Sequence, residues 1–287
     1  MAGKDTPFLK KSTLNCKGKL LDISTPLVMG ILNLTPDSFF DGNKYTVEAK
    51  INARVAVMLA EGVDIIDIGG VSTRPKSVLI SEKEELKRVL SIIERMAAKF
   101  PDTIISIDTF RAAVASRCVE AGAHIVNDIS AGNFDKKMFD TIARLRVPYI
   151  MMHQKGTFTS MHQSWTYQNL LKEMILYFSK KIQLLRLNGV SDIIIDPGFG
   201  FSKSVEQNFH LLKNLSLLQV LEVPLLVGIS RKSMINKILK TTPEDALNGT
   251  SILNTLALQN GASILRVHDV KQAKQAIQLS QFYKEQE

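Results

Sequence analysis

The chain has 287 residues, of which 45% are hydrophobic and 22% are charged, and its formal net charge is +8. This composition is that of an ordinary globular protein and excludes disordered and collagen-like chains. One α/β barrel of the common eightfold type needs ~250 residues, so the length leaves little room for a second domain. We expect an N-terminal segment and hairpin at residues 1–26 and one barrel domain at residues 27–287.

The same summary restricts the location and the partners of the chain. Its apolar runs are too short to span a membrane, and residues 1–26 lack the continuous apolar stretch of a signal peptide. We therefore expect a cytoplasmic protein with no membrane partner. Cys16 and Cys118 match no disulfide framework and no metal-ligand spacing. The basic residues are scattered, without interleaved aromatic residues, so the positive charge predicts an anionic small substrate and no nucleic-acid partner.

The predicted elements alternate along the chain. Residues 8–24 alternate weakly around Lys17 and Gly18, and we expect a hairpin there that closes the bottom of the barrel. Short apolar runs that end in polar residues predict eight buried strands, at 28–33, 63–67, 103–108, 124–127, 148–153, 193–196, 224–230 and 263–268. Helices are predicted at 46–61, 81–99, 111–121, 136–146, 167–187, 205–218 and 270–283. Ser81 and Glu84 have the spacing of a capping box.

Glycine stands shortly before four of the strands, at Gly62, Gly122, Gly189 and Gly261. Glycine at the end of a helix takes the left-handed conformation and turns the chain toward the next strand. The repeated unit of helix, glycine, strand and polar end predicts a (β/α)8 TIM barrel, an α/β fold whose chemistry lies at the carboxyl ends of the strands.

The polar residues at those strand ends are a candidate site. Such a set can hold a flat, nitrogen-rich heterocycle together with an anion. Its members are Asn33, Asp67, Asp108, Asn127, His153, Asp196, Ser230 and His268, with Arg266 just inside the last strand.

Five sequence motifs follow the strands. Glycines in them let the backbone approach a ligand, and hydroxyl and guanidinium groups suit phosphate oxygens. The motifs are GILNLTPDSFFDG at 30–42, GGVSTRP at 69–75, DPGFGF at 196–201, SRKS at 230–233 and RVHD at 266–269.

In this order the five motifs resemble those of the dihydropteroate synthases, and the resemblance runs from about Thr13 to the C-terminus. It implies a transferase of folate biosynthesis that condenses 6-hydroxymethyl-7,8-dihydropterin diphosphate with p-aminobenzoate. The products would be 7,8-dihydropteroate and diphosphate. The resemblance also implies a homodimer formed through the outer helices.

The resemblance implies a pterin site. A 2-amino-4-oxo ring presents an N–H and an NH2 group side by side, and the carboxylate of Asp196 would accept a hydrogen bond from each. Lys232 would donate toward O4 and N5 of the ring, and Asp108 would stabilise the positive charge that develops in the reaction. Asn127 is a further implied contact, and Met152 and Phe201 would wall the ring.

The resemblance further implies a site for the diphosphate and one for p-aminobenzoate. Asn33 would ligate an Mg2+ ion bound to the diphosphate, since this hard cation takes oxygen ligands and substrate phosphates. The implied diphosphate contacts are Asn33, Thr73, Arg74, Arg266 and His268, and the implied p-aminobenzoate contacts are Phe39, Thr73, Pro75 and Ser230. Asp108, Lys232 and Asn33 are the implied catalytic residues.

Two residues depart from the family pattern. Lys76 follows Pro75 where the family usually has glycine, and Ser202 replaces a common glycine after Phe201. Neither position is an implied contact of the pterin or of the diphosphate. We expect these departures to affect the shape of the p-aminobenzoate pocket and its response to sulfonamide analogues.

Two other functions remain open from the sequence. A pterin-binding methyltransferase domain shares the barrel, but it would transfer a folate methyl group to a corrinoid partner and would not use a diphosphate site. A basic barrel that binds nucleic acid, or that binds pterin without turnover, is the second alternative. Release of diphosphate that depends on p-aminobenzoate and Mg2+ separates the synthase from both.

Overall fold

The structure is a computed structural model that describes residues 12–34, 44–74 and 77–286. Phe39 and Pro75, both expected in the p-aminobenzoate pocket, lie outside the described residues, as does Lys76. In chain order the elements are β1 (Thr13–Cys16), β2 (Lys19–Asp22), β3 (Leu27–Asn33), α1 (Lys44–Ala60), β4 (Ile65–Gly69), α2 (Glu82–Lys99), β5 (Ile104–Asp108), α3 (Ala112–Glu120), β6 (Ile125–Asp128), α4 (Met138–Leu145), β7 (Tyr149–Met152), α5 (Leu170–Leu187), β8 (Ile193–Asp196), α6 (Val205–Lys213), a 3-10 helix (Leu215–Leu221), β9 (Leu226–Val227), α7 (Ser233–Leu239), α8 (Leu247–Gln259), β10 (Ile264–Val267) and α9 (Val270–Lys284).

Strands β3 to β10 form one parallel sheet in the order β8-β7-β6-β5-β4-β3-β10-β9. A parallel bridge between Ile195 and Leu225 joins its two ends, and the amide of Ile195 donates a hydrogen bond to the carbonyl oxygen of Pro224 at 3.0 Å. The sheet is therefore a nearly closed barrel with helices between its strands, which confirms the predicted TIM-barrel fold.

The N-terminal hairpin closes the amino end of the barrel. Strands β1 and β2 pair antiparallel around Lys17 and Gly18, which both have positive φ angles. Leu14 and Cys16 of β1 are fully buried and belong to a compact apolar cluster. The other buried members are Ile23, Leu27, Met29, Ile65, Ile104, Ile125, Ile150, Ile194, Leu226 and Ile264. This cluster is the amino-end core, and it confirms the expected position of the hairpin.

The glycines before the strands take the predicted conformation. Gly62, Gly122, Gly189 and Gly261 have φ angles of +83°, +121°, +79° and +93°. An L residue rarely adopts such values, so the four positions favour glycine. Glycine therefore ends these helices and lets the chain enter the next strand.

Several predicted bounds are wrong. Strand β4 runs two residues past Asp67, to Gly69, so Asp67 lies inside the strand and not at its end. The helix predicted at 205–218 ends at Lys213, where the Asn214 side chain donates to the His210 carbonyl oxygen at 2.8 Å, and a 3-10 helix follows. Ser81 caps α2 by accepting from the Glu84 amide, but the Glu84 carboxylate pairs with Arg88.

The structure adds two helices, α7 and α8, between β9 and β10, where the sequence analysis assigns none. Gly249, in the first turn of α8, lies against α7, and a Cβ atom there would crowd Ile235. Small and polar residues, such as Gly249, interrupt the regular spacing of apolar residues by which helices are predicted. Among the described residues, no helix is long and apolar enough to cross a membrane.

Candidate active site

Several of the predicted site residues are neighbours on adjacent strands because the strands pair in parallel register. Asn33 pairs with Gly69, Gly69 with Asp108, and Asp108 with Asn127, across four adjacent strands. Met152 pairs with Asp196 in the same way, across β7 and β8. The carboxyl end of the barrel therefore brings together residues that are far apart in the sequence.

Arg266 of β10 forms two ion pairs, one with a residue of β4 and one with a residue of β5. Its Nε donates to Asp67 Oδ2 at 2.7 Å, and its Nη2 donates to Asp108 Oδ2 at 2.7 Å. Asn127 Nδ2 also donates to Asp67 Oδ2, at 3.0 Å. Asp67 is fully buried, and its Oδ1 has no partner among the described residues. The sequence analysis names Asp67 but gives it no role, whereas the structure places it at the centre of this network.

The network sets the charges of its members. Burial raises the pKa of Asp108 to about 7, although Arg266 lowers it, and Asp67 raises it further. Burial alone would lower the pKa of the Arg266 guanidinium, but Asp67 and Asp108 raise it above its ordinary value. Arg266 is therefore a permanent cation beside a carboxyl group that titrates near neutral pH.

Asp196 and Lys232 face each other across a second part of the site. Asp196 is buried, and its Oδ1 accepts a hydrogen bond from the Gly198 amide at 2.7 Å. Burial raises the pKa of Asp196, and Lys232 lowers it. Lys232 Nζ donates to the Phe199 carbonyl oxygen at 2.6 Å and lies 4.8 Å from the Phe201 ring centroid. Burial lowers the pKa of Lys232 to about 8, opposed by Asp196.

The backbone of the loop after β8 depends on two glycines. Gly198 and Gly200 have φ angles of +71° and +80°. A Cβ atom at Gly198 would overlap the His153 carbonyl oxygen, and one at Gly200 would lie 3.1 Å from Lys232 Cδ. The loop thus passes too close to its neighbours for larger residues, and this close approach aims the Gly198 amide and the Phe199 carbonyl at Asp196 and Lys232.

Lys203 stabilises this loop from behind, and the sequence analysis missed it. Its Nζ lies 3.0 Å from the Gly198 carbonyl oxygen, 3.1 Å from that of Phe201 and 3.2 Å from His153 Nδ1. Burial lowers the pKa of Lys203 to about 7. A lysine in a sequence is expected to be exposed to solvent, so its only signal was its position two residues after the glycine-rich motif.

His153 does not point into the site. Its ring packs against Tyr177 and Phe178 of α5, with ring centroids 5.0 Å and 6.1 Å away. Met152 and Phe201 do face the carboxyl end, where both belong to a buried apolar cluster with Val71, Phe110, Ile129 and Met161. The structure therefore provides an apolar wall beside Asp196 and Lys232.

The last two motifs meet through Ser230 and His268. The amide of His268 donates to Ser230 Oγ at 3.2 Å, and Ser230 Oγ lies 3.0 Å from His268 Nδ1. The hydroxyl can then donate to Nδ1, which leaves the proton of the neutral ring on Nε2. Burial, followed by the charge of Arg266, lowers the pKa of His268 to about 4. His268 is thus a neutral donor near a fixed cation.

Thr73 and Arg74 lie on the loop after β4. Arg74 is exposed, and its charge is near enough to His268 to contribute to the lowered pKa of that ring, after burial and Arg266. Thr73 is half-buried, and its carbonyl oxygen lies 2.6 Å from His162 Nε2. The sequence analysis does not single out His162.

Asn33 ends β3 beside Asp108. An added Cβ atom on Gly69 would lie 3.6 Å from Asn33 Oδ1 and 3.7 Å from Asp108 Oδ2, so the two oxygens flank one point. Among the described residues, no group of three or more His, Cys, Asp or Glu side chains is arranged to hold a metal ion.

Comparison with known proteins agrees with this arrangement. Residues 29–268 match the sequence profile of the family described as pterin binding enzyme. Dihydropteroate synthase from a Synechocystis strain is 44% identical over 247 residues, which are 85% of each chain. That from Escherichia coli K12 is 37% identical over 268 residues, which are 93% of this chain and 94% of the relative.

Solved structures give the same result. A Yersinia pestis dihydropteroate synthase in a sulfonamide drug complex superposes with a TM-score of 0.89 at 38% identity, over 96% of this chain and all of that one. The Xanthomonas albilineans enzyme with 4-aminobenzoic acid superposes with a TM-score of 0.89 at 37% identity, over 96% and 99% of the two chains. With most of its length matched in both sequence and structure, the chain belongs to the pterin-binding enzyme family and, within it, to the dihydropteroate synthases.

Proposed function

We propose that the chain condenses 6-hydroxymethyl-7,8-dihydropterin diphosphate with p-aminobenzoate, which yields 7,8-dihydropteroate and diphosphate in folate biosynthesis. The observation that carries this proposal is the meeting of two unlike subsites at one end of the barrel. One combines the carboxylate of Asp196, the ammonium of Lys232 and an apolar wall. The other combines the Arg266 cation with the neutral donor His268.

The first subsite fits the pterin ring. Asp196 would accept from the ring N–H and NH2 groups, while Lys232 would donate toward O4 and N5. Asn127 and Asp108 would complete the polar contacts, and Met152 and Phe201, which share one apolar cluster, would lie against the ring.

The second subsite fits a diphosphate. Arg266 uses one Nε and one Nη2 hydrogen in its ion pairs, so among the described residues three of the five guanidinium hydrogens are left for phosphate oxygens. His268 would add its Nε2 proton, and Thr73 and Arg74 would approach from the loop after β4. Ser230 and Thr73, together with Phe39 and Pro75, are the proposed p-aminobenzoate contacts.

These roles define the mechanism. Arg266 and His268 stabilise the negative charge of the departing diphosphate, and the Asp108 carboxylate stabilises the positive charge left on the pterin methylene. The aniline nitrogen of p-aminobenzoate then attacks that carbon, a C–N bond forms, and one N–H proton is released to solvent. The Ser230 hydroxyl can donate to His268 Nδ1, but burial lowers the pKa of that ring to about 4 and makes it a weak base, so we propose no covalent enzyme intermediate.

Mg2+ is the proposed cofactor, and Asn33, at the end of β3, offers an amide oxygen of the kind that this hard cation takes. Mg2+ is held by one or two protein oxygens together with substrate phosphates and water. Asn33 would be the metal ligand. Bound there, Mg2+ would neutralise charge on the leaving diphosphate.

We also propose that the chain forms a homodimer through its outer helices. Ile252 and Leu256 lie one turn apart on α8 with 53% and 41% of their surface exposed. Leu279 and Phe282 of the adjacent helix α9 are 72% and 65% exposed. Exposed apolar residues on neighbouring helices favour a protein contact, and light scattering would give the mass of the particle. The cytoplasmic location stays a prediction.

One assay tests the proposed reaction. The purified protein should release diphosphate from the pterin substrate only when p-aminobenzoate and Mg2+ are both present. Release that does not require p-aminobenzoate, or methyl transfer to a corrinoid acceptor, would contradict the proposal.

A variant tests the central contact. Asp196→Asn turns one acceptor into a donor that faces the donors of the ring, and a buried mismatch of this kind costs about 1–3 kcal/mol. We expect pterin affinity to fall about 5- to 150-fold in calorimetry while the fold is kept. Asp102→Asn, at an exposed aspartate outside the site, is the matched control. Parent-like affinity in Asp196→Asn would remove Asp196 from the site.

A further inference from the structure

Hydrogen bonds of Ser202 join the loop between β7 and α5 to the loop after β8. The Ser202 hydroxyl oxygen lies 2.7 Å from the Lys155 amide, which donates to it, and 2.9 Å from the Lys155 carbonyl oxygen, to which it donates. The Ser202 amide donates to the Met161 carbonyl oxygen at 2.8 Å. Ser202 has a φ angle of +55°, a strained value for serine, and its hydroxyl bonds compensate that strain.

These hydrogen bonds of Ser202 place His162, the residue after Met161, against the site. The ring of His162 stacks on Phe201 with centroids 5.0 Å apart and planes inclined by 29°. Its Nε2 lies 2.6 Å from the carbonyl oxygen of Thr73. A carbonyl oxygen only accepts, so Nε2 carries the proton and donates it. His162 therefore joins three segments of the carboxyl end, those after β4, β7 and β8.

We propose that His162 is a positioning residue that fixes Thr73 for the second substrate, an aromatic amine that carries a carboxylate. The proposal rests on the function proposed above, in which Thr73 contacts p-aminobenzoate. The hydrogen bond from His162 holds the Thr73 backbone at a set distance from Phe201. Without this hydrogen bond, the position of Thr73 relative to the wall of the site is no longer fixed. Binding of the second substrate must then order that segment, which lowers the affinity for this substrate.

The polar groups assigned to the pterin are held by other bonds. Asp196 is oriented by the Gly198 amide, Lys232 by the Phe199 carbonyl oxygen, and Asn127 by Asp67. His162 contributes to none of these bonds. Loss of its Nε2 donor should therefore raise the KM for p-aminobenzoate more than the KM for the pterin diphosphate, to which Thr73 is one of several assigned contacts, and leave kcat nearly unchanged.

Two substitutions of His162 separate its donor from its ring. His162→Phe keeps a ring to stack on Phe201 but has no donor, whereas His162→Gln keeps an N–H donor without the aromatic ring. We expect His162→Phe to raise the KM for p-aminobenzoate about three- to tenfold, the range for loss of one hydrogen bond. We expect His162→Gln to keep that KM within about twofold of the parent, on the same basis.

Two further variants complete the experiment. Ser202→Gly removes the hydroxyl, and glycine adopts a φ angle of +55° without strain, so the fold is kept. It should raise the same KM by less than His162→Phe, because the backbone bond to Met161 remains. His210→Phe, on α6 outside the site, is the matched control and should leave both KM values unchanged.

The outcomes distinguish this proposal from the proposed function. Steady-state kinetics with the parent tests the function first, since an inactive parent overturns both. If the parent is active, a rise in the KM for p-aminobenzoate in His162→Phe, with recovery in His162→Gln, supports the positioning role. A parent-like KM for p-aminobenzoate in His162→Phe, or equal increases in both KM values, overturns it and leaves the reaction intact.

Discussion

The same strands form both ends of the barrel, but the side chains at one end are apolar and those at the other end are charged or polar. At the amino end, the amino-end core is wholly apolar and is covered by the hairpin residues Leu14 and Cys16. At the carboxyl end, Asp67, Asp108 and Arg266 form a charged network with Asn127. At the amino end the strands therefore contribute to stability alone, whereas at the carboxyl end they also provide the residues of the proposed chemistry.

Along a strand, as few as two residues separate the amino-end core from the proposed site. Five strands carry a buried isoleucine of the amino-end core and, two residues later, a residue of the proposed site. Side chains two apart on a strand point to the same side, so both members of each pair face the barrel interior on successive levels. The pairs are Ile65 and Asp67, Ile125 and Asn127, Ile150 and Met152, Ile194 and Asp196, and Ile264 and Arg266.

The largest effect should come from breaking the charged network. Arg266→Ala leaves Asp67 and Asp108 without their common cation, and loss of one partner of a buried ion pair costs about 3–5 kcal/mol. We expect that loss in the free energy of urea unfolding. In calorimetry, affinity for the diphosphate-bearing substrate should fall much more than affinity for free hydroxymethylpterin.

A double variant provides the control for Arg266→Ala. Asp67→Asn removes one of the two carboxylate charges that Arg266→Ala leaves without a cation. The double variant Asp67→Asn/Arg266→Ala should therefore recover part of the stability but none of the diphosphate affinity. Equal losses of affinity for the two ligands in Arg266→Ala would refute its assignment to the phosphates.

A smaller effect, confined to stability, should come from the amino end. Leu14→Ala removes a fully buried side chain from the amino-end core, which costs about 2–4 kcal/mol. Urea unfolding should show this loss, while kcat/KM of the folded enzyme stays within about twofold because the site lies on another level of the barrel. Leu20→Ala, at a residue that is 75% exposed in the same hairpin, is the matched control. A large fall in kcat/KM for Leu14→Ala would show that the two ends are coupled.

The strands and their glycine-marked helix ends were predictable because they leave periodic signals. Apolar runs that end in polar residues located all eight strands, and the four glycines have the expected positive φ angles. Helix α8 was missed because it carries small and polar residues such as Gly249 and Asn254, and α7, with only 7 residues, is too short for a clear helical period. The sequence supplied the candidate residues, and family resemblance supplied their roles.

The pairing of the site residues was not predictable from the pattern. Arg266 meets Asp67 and Asp108 across 199 and 158 positions of the chain, and Lys203 meets His153 across 50. Such contacts depend on the closure of the barrel and on side-chain length, neither of which leaves a periodic signal. The bond between His162 and Thr73 joins two loops in the same way, over 89 positions.

The smallest effect is a pH dependence that only the carboxyl end should generate. The Asp108 carboxyl has its pKa raised to about 7, so it loses its charge as the pH falls below that value. The Lys232 ammonium has its pKa lowered to about 8, so it loses its proton as the pH rises above that value. Since the mechanism needs both charges, kcat/KM should peak between these values and fall about tenfold per pH unit on each side. His268, with a pKa of about 4, stays neutral over this range.

Substitutions assign the alkaline limb of that profile. Lys232→Arg keeps a positive charge at all accessible pH values, so its kcat/KM should stay level above pH 8, whatever its absolute activity. Lys203, whose pKa is lowered to about 7, is the other lysine that titrates nearby, and Lys203→Met should retain the alkaline limb. If the limb persists in Lys232→Arg and vanishes in Lys203→Met, the loop behind Asp196 controls the profile. Lys232 would then not be the group whose proton the reaction requires.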